Sequence, residues 1–202
     1  MIETVAKGET QQQVYLVGRL TEEVVIDGVT YPINEPVSVV CIEWKNILKN
    51  AASGDVVVEL QHADFELSAT NDARASPAIA ALAAATTLPE VVLSVQAYLG
   101  QVSVDPRLMR RGLGSRLLAA AEAFIASKAQ THGAALREMG LQVTVEAIAS
   151  MRVLNIRTDV LKWYPKHGYN IVQSGLEFDA PEIAKDEFEG KITVNILEKR
   201  IL

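Results

Sequence analysis

The residues of this chain best suited to chemistry lie in one stretch, Val102-Ser103-Val104-Asp105-Pro106-Arg107-Leu108-Met109-Arg110-Arg111-Gly112-Leu113-Gly114-Ser115. It reads as the end of a strand, a basic loop bearing glycines, and the start of an amphipathic helix. The first backbone N–H groups of a helix have no internal partner, and the helix dipole places partial positive charge there. Glycine at 112 and 114 lets a phosphate approach the backbone without a Cβ in the way. Arg110 and Arg111 add cationic charge beside it. Together these parts make a pyrophosphate cradle. The G-x-x-x-x-G-K-[ST] pattern of a P-loop is absent, and the single G-x-G does not complete the dinucleotide fingerprint. Alone, a G-x-G after a strand is equally a structural helix start.

The elements that must hold this loop are clearest in the second half. Val91 to Val104 is long, apolar and β-branched, with Gly100 inside it as the mark of a bulge or a close backbone approach. After Asp105-Pro106 the period becomes helical. Leu113, Leu117, Ala121, Phe124 and Ile125 share one face, predicting a helix from about 112 to 128 that Gly133 interrupts. Leu141 to Ile148 and Met151 to Ile156 read as two strands. Thr158 is expected to cap a short helix reaching about Lys166, ended by Gly168. Tyr169 to Val172 and Ile192 to Leu197 follow as strands, separated by the acidic segment Glu177 to Glu189, a solvated loop or an attractor for a cationic amine.

The first half is less regular. Val14 to Leu20 reads as a strand. Val24-Val25-Ile26 and Val29-Thr30-Tyr31 flank Asp27-Gly28 as a two-residue hairpin. Val37 to Trp44 is apolar and could begin as strand and end as helix. Asp55 to Gln61 and Phe65 to Thr70 read as strands, and Ser76-Pro77 before an alanine run predicts a helix over 76–85.

Composition narrows the function classes. The 202 residues carry a formal charge of −6, which argues against a nucleic-acid partner and suits a cationic substrate. The length predicts a single domain over 1–202. Cys41 is the only cysteine, so neither a disulfide framework nor a multi-cysteine zinc site is expected, and Cys41 itself reads as a buried structural residue. No stretch reads as an export signal or a membrane span, so no membrane partner and a cytoplasmic location are expected.

The stretch VSVDPRLMRRGLGSRLL resembles motif A of the GNAT superfamily of N-acetyltransferases, a strand, V-D-P, then [QR]-x-x-G-x-[GA] opening a helix. Met109 departs from the family's usual Gln or Arg. A second match follows at the expected distance. MRVLNIRTDVLKWYPKHGYNIV carries Tyr164, Gly168 and Tyr169 in the family's Y-x-x-x-G-[FY] spacing, with Pro165 as a departure. The matches cover about 98–173, and residues 1–95 match poorly.

The resemblance implies an α/β fold, a central mixed, mostly antiparallel sheet of about six or seven strands with helices on both faces. It implies acetyl-CoA as acyl donor, with no metal, lying between the strand ending at Val104 and one ending near Arg157. The backbone around Val102, Ser103 and Val104 would pair with the pantetheine arm, and the amides from Arg110 to Ser115 would hold the pyrophosphate. A primary amine of a small molecule or peptide would attack the thioester directly, with Tyr164 serving the leaving thiolate. A homodimer is left open.

A general base is not evident. Val91 to Val104 contains no carboxylate, only Gln96, Tyr98, Gln101 and Ser103 among its polar-tipped residues near the motif. Glu59, His62, Asp64, Glu66 and Glu146 are candidates elsewhere, while His132 and His167 read as surface residues. The rival readings are a non-catalytic acyl-CoA-binding or interaction module, and an enzyme using succinyl- or longer acyl-CoA.

Overall fold

A computed structural model describes residues 2–6, 13–20, 23–26, 28–60, 90–178 and 191–202. The strands are β1 (Ile2–Ala6), β2 (Gln13–Arg19), β3 (Val24–Ile26), β4 (Val29–Tyr31), β5 (Pro36–Asn50), β6 (Val56–Leu60), β7 (Val91–Val104), β8 (Val143–Leu154), β9 (Asn170–Glu177) and β10 (Thr193–Arg200). The helices are α1 (Leu113–Glu138) and α2 (Thr158–Trp163), with 3-10 turns at Pro106–Leu108 and Tyr164–His167.

Seven strands run in the order β1-β2-β5-β7-β8-β10-β9, and β6 pairs with β5 off that path. Every neighbouring pair is antiparallel except β7 with β8. Helix α1 connects those two parallel strands, as a parallel pair requires a crossover. The mixed, mostly antiparallel sheet is therefore as expected. The segments read as a strand over 65–70 and a helix over 76–85 lie outside the described residues.

Three expectations are corrected. Residues 37–44 do not turn into helix but belong to β5, which runs unbroken from Pro36 to Asn50. Pairing to β2, β6 and β7 overrides any local preference. The two strands read over 141–156 are one strand, β8. Ser150 interrupts its hydrophobic run only because it faces the opposite side of the sheet from Ala149 and Met151.

Gly133 does not interrupt α1. The helix runs through it, and Leu117, Leu118, Ala121, Ile125, Ala129, His132 and Leu136 are buried along one stripe. This stripe packs with Leu93, Val95, Ala97 and Leu99 of β7 in the main core. A Cβ at Gly133 would stand 2.4 Å from Val145 Cγ2 on β8. Glycine is there so that helix and sheet can approach.

Asp105 holds the chain between β7 and α1. Its carboxylate accepts from the Arg107 backbone N–H at 2.9 Å and pairs with the Arg107 guanidinium at 2.7 Å. The β3–β4 hairpin, with Gly28 at φ 78°, supports this loop from outside. Its Tyr31 joins Val37 and Leu108 in a second small core that also takes Leu113, and Arg107 lies 4.7 Å from the centre of the Tyr31 ring.

The close approach at Gly133 has a measurable consequence. Gly133→Ala should destabilise the fold by about 1–3 kcal/mol through overpacking, although alanine is by about 1 kcal/mol the better helix former. Adding Val145→Ala should recover part of the loss, as urea unfolding of the two single variants and the double variant would show.

Candidate functional site

The site is organised by a break in the sheet. Cys41 of β5 pairs with Gly100 of β7, but Val39 pairs with Ser103, so Gln101 and Val102 together oppose Val40. This is a bulge, and Gln101 sits at φ 52°, a left-handed conformation that is uncommon outside glycine. The expected bulge is present, with Gln101 rather than Gly100 carrying the unusual dihedral. Parallel pairing of β7 with β8 ends at Tyr98 and Ser150. Beyond that point β7 continues to Val104 and β8 to Leu154 without pairing to each other, so the two strands part.

A cavity of about 560 Å³ lies where they part. Val102 and Val104 line one wall, and Met109, Arg110, Gly112, Leu113, Gly114 and Ser115 line its floor. Arg157, Asp159, Trp163 and Tyr164, from α2 and the residues flanking it, close it. Of the cradle residues expected from sequence, Ser103 and Arg111 do not face it. Ser103 lines a separate groove with Val37 and Asp105, and Arg111 is exposed. Arg110 at φ 62° and Gly112 at φ 76° are both left-handed. Alternation of this kind turns successive amides toward one point, an anion-binding concavity. It leads into α1, whose N-cap Gly112 makes no side-chain cap bond. Gly114 faces the wall opposite, where a Cβ would just touch the Trp163 ring at 3.5 Å and a larger side chain would not fit without moving it.

No family model matches the chain, and no curated protein sequence matches it. Solved structures do. Arabidopsis thaliana NAA60 in complex with acetyl-CoA matches with a TM-score of 0.50 at 10% identity, over 96% of this chain and 78% of that one. The fold is the GNAT fold. The ribosomal-protein-S18-alanine N-acetyltransferase from Escherichia coli matches at 20% identity with a TM-score of 0.35, over 52% of this chain and 54% of that one. An aminoglycoside 6'-N-acetyltransferase complexed with coenzyme A matches at 10% identity with a TM-score of 0.43, over 95% of this chain and 74% of that one.

Within this GNAT fold Tyr164 lines the cavity and is 5% exposed. It follows α2, whose first residue is Thr158 and whose cap position is Arg157, without the side-chain cap expected of Thr158. Pro165 turns the chain into a 3-10 turn that Gly168 ends at φ 85°. Burial pushes the Tyr164 phenol up to about 12, against a smaller downward pull from Arg157 and an upward one from Tyr98. The hydroxyl is therefore a proton donor at neutral pH.

A second cavity, about 580 Å³, opens on the sheet beside the same junction. Glu43, Tyr98, Ser150 and Glu198 are successive register partners on β5, β7, β8 and β10, and all line it. Side chains in register across a sheet share one face, so these four form a transverse polar row. Gln96 and Arg152 border it on either side. Neither glutamate was legible as a candidate, because only the pairing of four distant strands brings them together.

The other expected bases fare differently. Glu146 is held by Lys49 at 2.9 Å and Arg200 at 3.4 Å, and the Lys49 hydrogen bond keeps its carboxyl below the usual range. Glu59 is exposed on β6. His62, Asp64 and Glu66 lie outside the described residues. His132 is not on the surface: it is 3% exposed, and its Nδ1 is 3.0 Å from Asn46 Oδ1. His167 is also half-buried rather than exposed, 3.3 Å from Ser115 Oγ. Cys41 is buried, as expected.

The raised Tyr164 phenol predicts a pH effect. The folded form holds its proton above pH 10.0, where an unfolded tyrosine has begun to lose it. Stability is then fully present below that pH and falls as pH rises toward about 12. Tyr164→Phe should show a shallower loss of melting temperature on the alkaline side than the parent protein.

Proposed function

We propose that this chain is an acyl-CoA-dependent N-acyltransferase, with acetyl-CoA as donor and a primary amine as acceptor. The observation that carries this is the junction at Tyr98 and Ser150. There the parted strands, the glycine-bearing helix start and a buried tyrosine converge on one cavity, and a second, carboxylate-bearing cavity opens beside it. The fit to a CoA ester rests on the chain itself. Arg110 and the left-handed pair at 110 and 112 suit a pyrophosphate, and the unpaired β7 edge suits an amide-bearing arm.

In this reading the α1 amides and Arg110 bind phosphate, while β7 beyond Leu99 orients the arm toward the junction. The thioester supplies an electrophilic carbonyl. An amine held in the second cavity attacks it, the C–N bond forms as the C–S bond breaks, and Tyr164 gives its proton to the departing sulfur. Glu43 and Glu198 favour an amine that arrives as a cation and take one proton from it through water, and the second proton, shed by nitrogen as the C–N bond forms, restores the Tyr164 hydroxyl. Trp163 and the α2 wall shield the cradle.

The test is thiol release from acetyl-CoA over a panel of primary amines. Turnover on any amine supports the reading, and tight CoA binding without turnover favours a binding module. Tyr164→Phe should lower kcat roughly 10- to 1,000-fold with little change in acetyl-CoA affinity. Gly114→Val should push Trp163 aside and weaken CoA at least tenfold, about 1.4 kcal/mol. Gly112→Ala, which meets no neighbour within 4 Å, should mainly lower stability by about 1–2 kcal/mol through its left-handed backbone.

A further inference from the structure

His167 stands at the cradle in a role that the proposed chemistry does not use. Its Nε2 is 3.3 Å from the hydroxyl of Ser115, a cavity-lining residue in the first turn of α1. The imidazole also lies against the indole of Trp163, with ring centres 4.4 Å apart. That indole lines the cavity and covers Gly114. The histidine is thus fixed by two contacts, one apolar and one polar, and the polar one ends on a hydroxyl in the cradle.

The direction of that hydrogen bond matters. A hydroxyl has one proton to give, and a phosphate oxygen accepts only. If Ser115 gives its proton to His167, it has none for a ligand. If His167 donates from Nε2, the Ser115 proton is released toward the cavity. The neutral ring can do either, depending on its tautomer, whereas the imidazolium can only donate. We propose that His167 is a positioning residue for phosphate. Donation from its Nε2 to Ser115 turns the serine hydroxyl into a donor toward the pyrophosphate of a CoA ester, and protonation of the ring locks that state.

This rests on reading the cavity as a CoA site. The charged groups nearby carry both signs, since Asp159 of α2 also lines the cavity, paired with Arg157 at 3.1 Å. Lys162 and Lys166 belong to its own segment, and Arg110 lines the cavity. From the sheet, Lys199 reaches the Gly168 Cα region, its Nζ 3.9 Å from where a Cβ would stand, and is paired with Glu122 of α1 at 2.7 Å. Among the described residues no carboxylate is paired with His167, so an arriving phosphate supplies the negative charge that favours the imidazolium.

The experiment measures affinity by calorimetry at about pH 5.5 and about pH 8. Dephospho-CoA is the probe because its pyrophosphate does not titrate there, and pantetheine is the phosphate-free control. The wild-type protein should bind dephospho-CoA about five- to tenfold tighter at the acidic pH, a gain of the size expected for one charge-assisted hydrogen bond. It should take up a fraction of a proton near neutrality, seen by comparing buffers of different ionisation heat. His167→Gln keeps an N–H donor without the charge. It should match the wild type within about twofold at the alkaline pH and lose the acidic gain. Pantetheine should show no pH dependence with either protein. A flat wild-type profile, a slope retained in His167→Gln, or an equal slope with pantetheine would each overturn the proposal. The proton-uptake measurement needs no variant, so a poorly folding His167→Gln would not shelter it. Absence of any CoA binding would instead bring down the functional reading on which it rests.

Discussion

Everything in this molecule depends on where two parallel strands stop pairing. Strands β7 and β8 are joined residue for residue up to Tyr98 and Ser150 and then diverge. Loss of ladder hydrogen bonds in the middle of a sheet is costly unless something else satisfies the backbone. The bulge at Gln101 redirects β7 while β5 keeps hold of it through Ser38 and Val39. The other strand, β8, is kept straight by β10, which pairs with it as far as Leu154. Each strand is thus anchored on its outer side, which frees the inner edges to face a ligand.

The remaining parts can be understood as supports for this opening. Helix α1 must start at the mouth, and its close seating on β8 at Gly133 and Val145 fixes its axis. The loop before it is held from within by Asp105 and from outside by Tyr31 and Leu108. Those contacts matter because Arg110 occupies a left-handed conformation that a free loop would relax. On the far side, Trp163, Tyr164 and Tyr169 stack edge to face, with ring centres of successive pairs 4.9 and 5.7 Å apart. A short helix of six residues has little stability of its own, and this aromatic packing supplies it.

Local rules made much of this legible. The helical period after Pro106, the β3–β4 hairpin around Gly28 and the stop at Gly168 all follow from properties of single residues and their near neighbours. Where tertiary packing decides, sequence reasoning went astray. Gly133 looks like a breaker until Val145 occupies the space that a side chain would need. Residues 37–44 hold no local signal that they will be flanked on both sides by strands. His132 is polar and looks exposed, but Asn46, far away in sequence, offers it a buried partner. The row from Glu43 to Glu198 is the extreme case. Its members are separated by long stretches of chain, and no spacing rule connects them before the register is known.

The sheet order also constrains how the molecule is built. Strand β9 precedes β10 in sequence, yet it touches the rest of the sheet only through β10, which lies between it and β8. Until β10 arrives, β9 has nothing to pair with, and the outer edge of β8 is bare. Contacts that span so much chain form late, because the loop entropy must be lost before they contribute. A β9–β10 hairpin that forms first and then docks on β8 avoids leaving either edge open for long. In that order of events the wall bearing Glu198 is absent until the hairpin docks, and a chain stalled before that step would present an unfinished pocket.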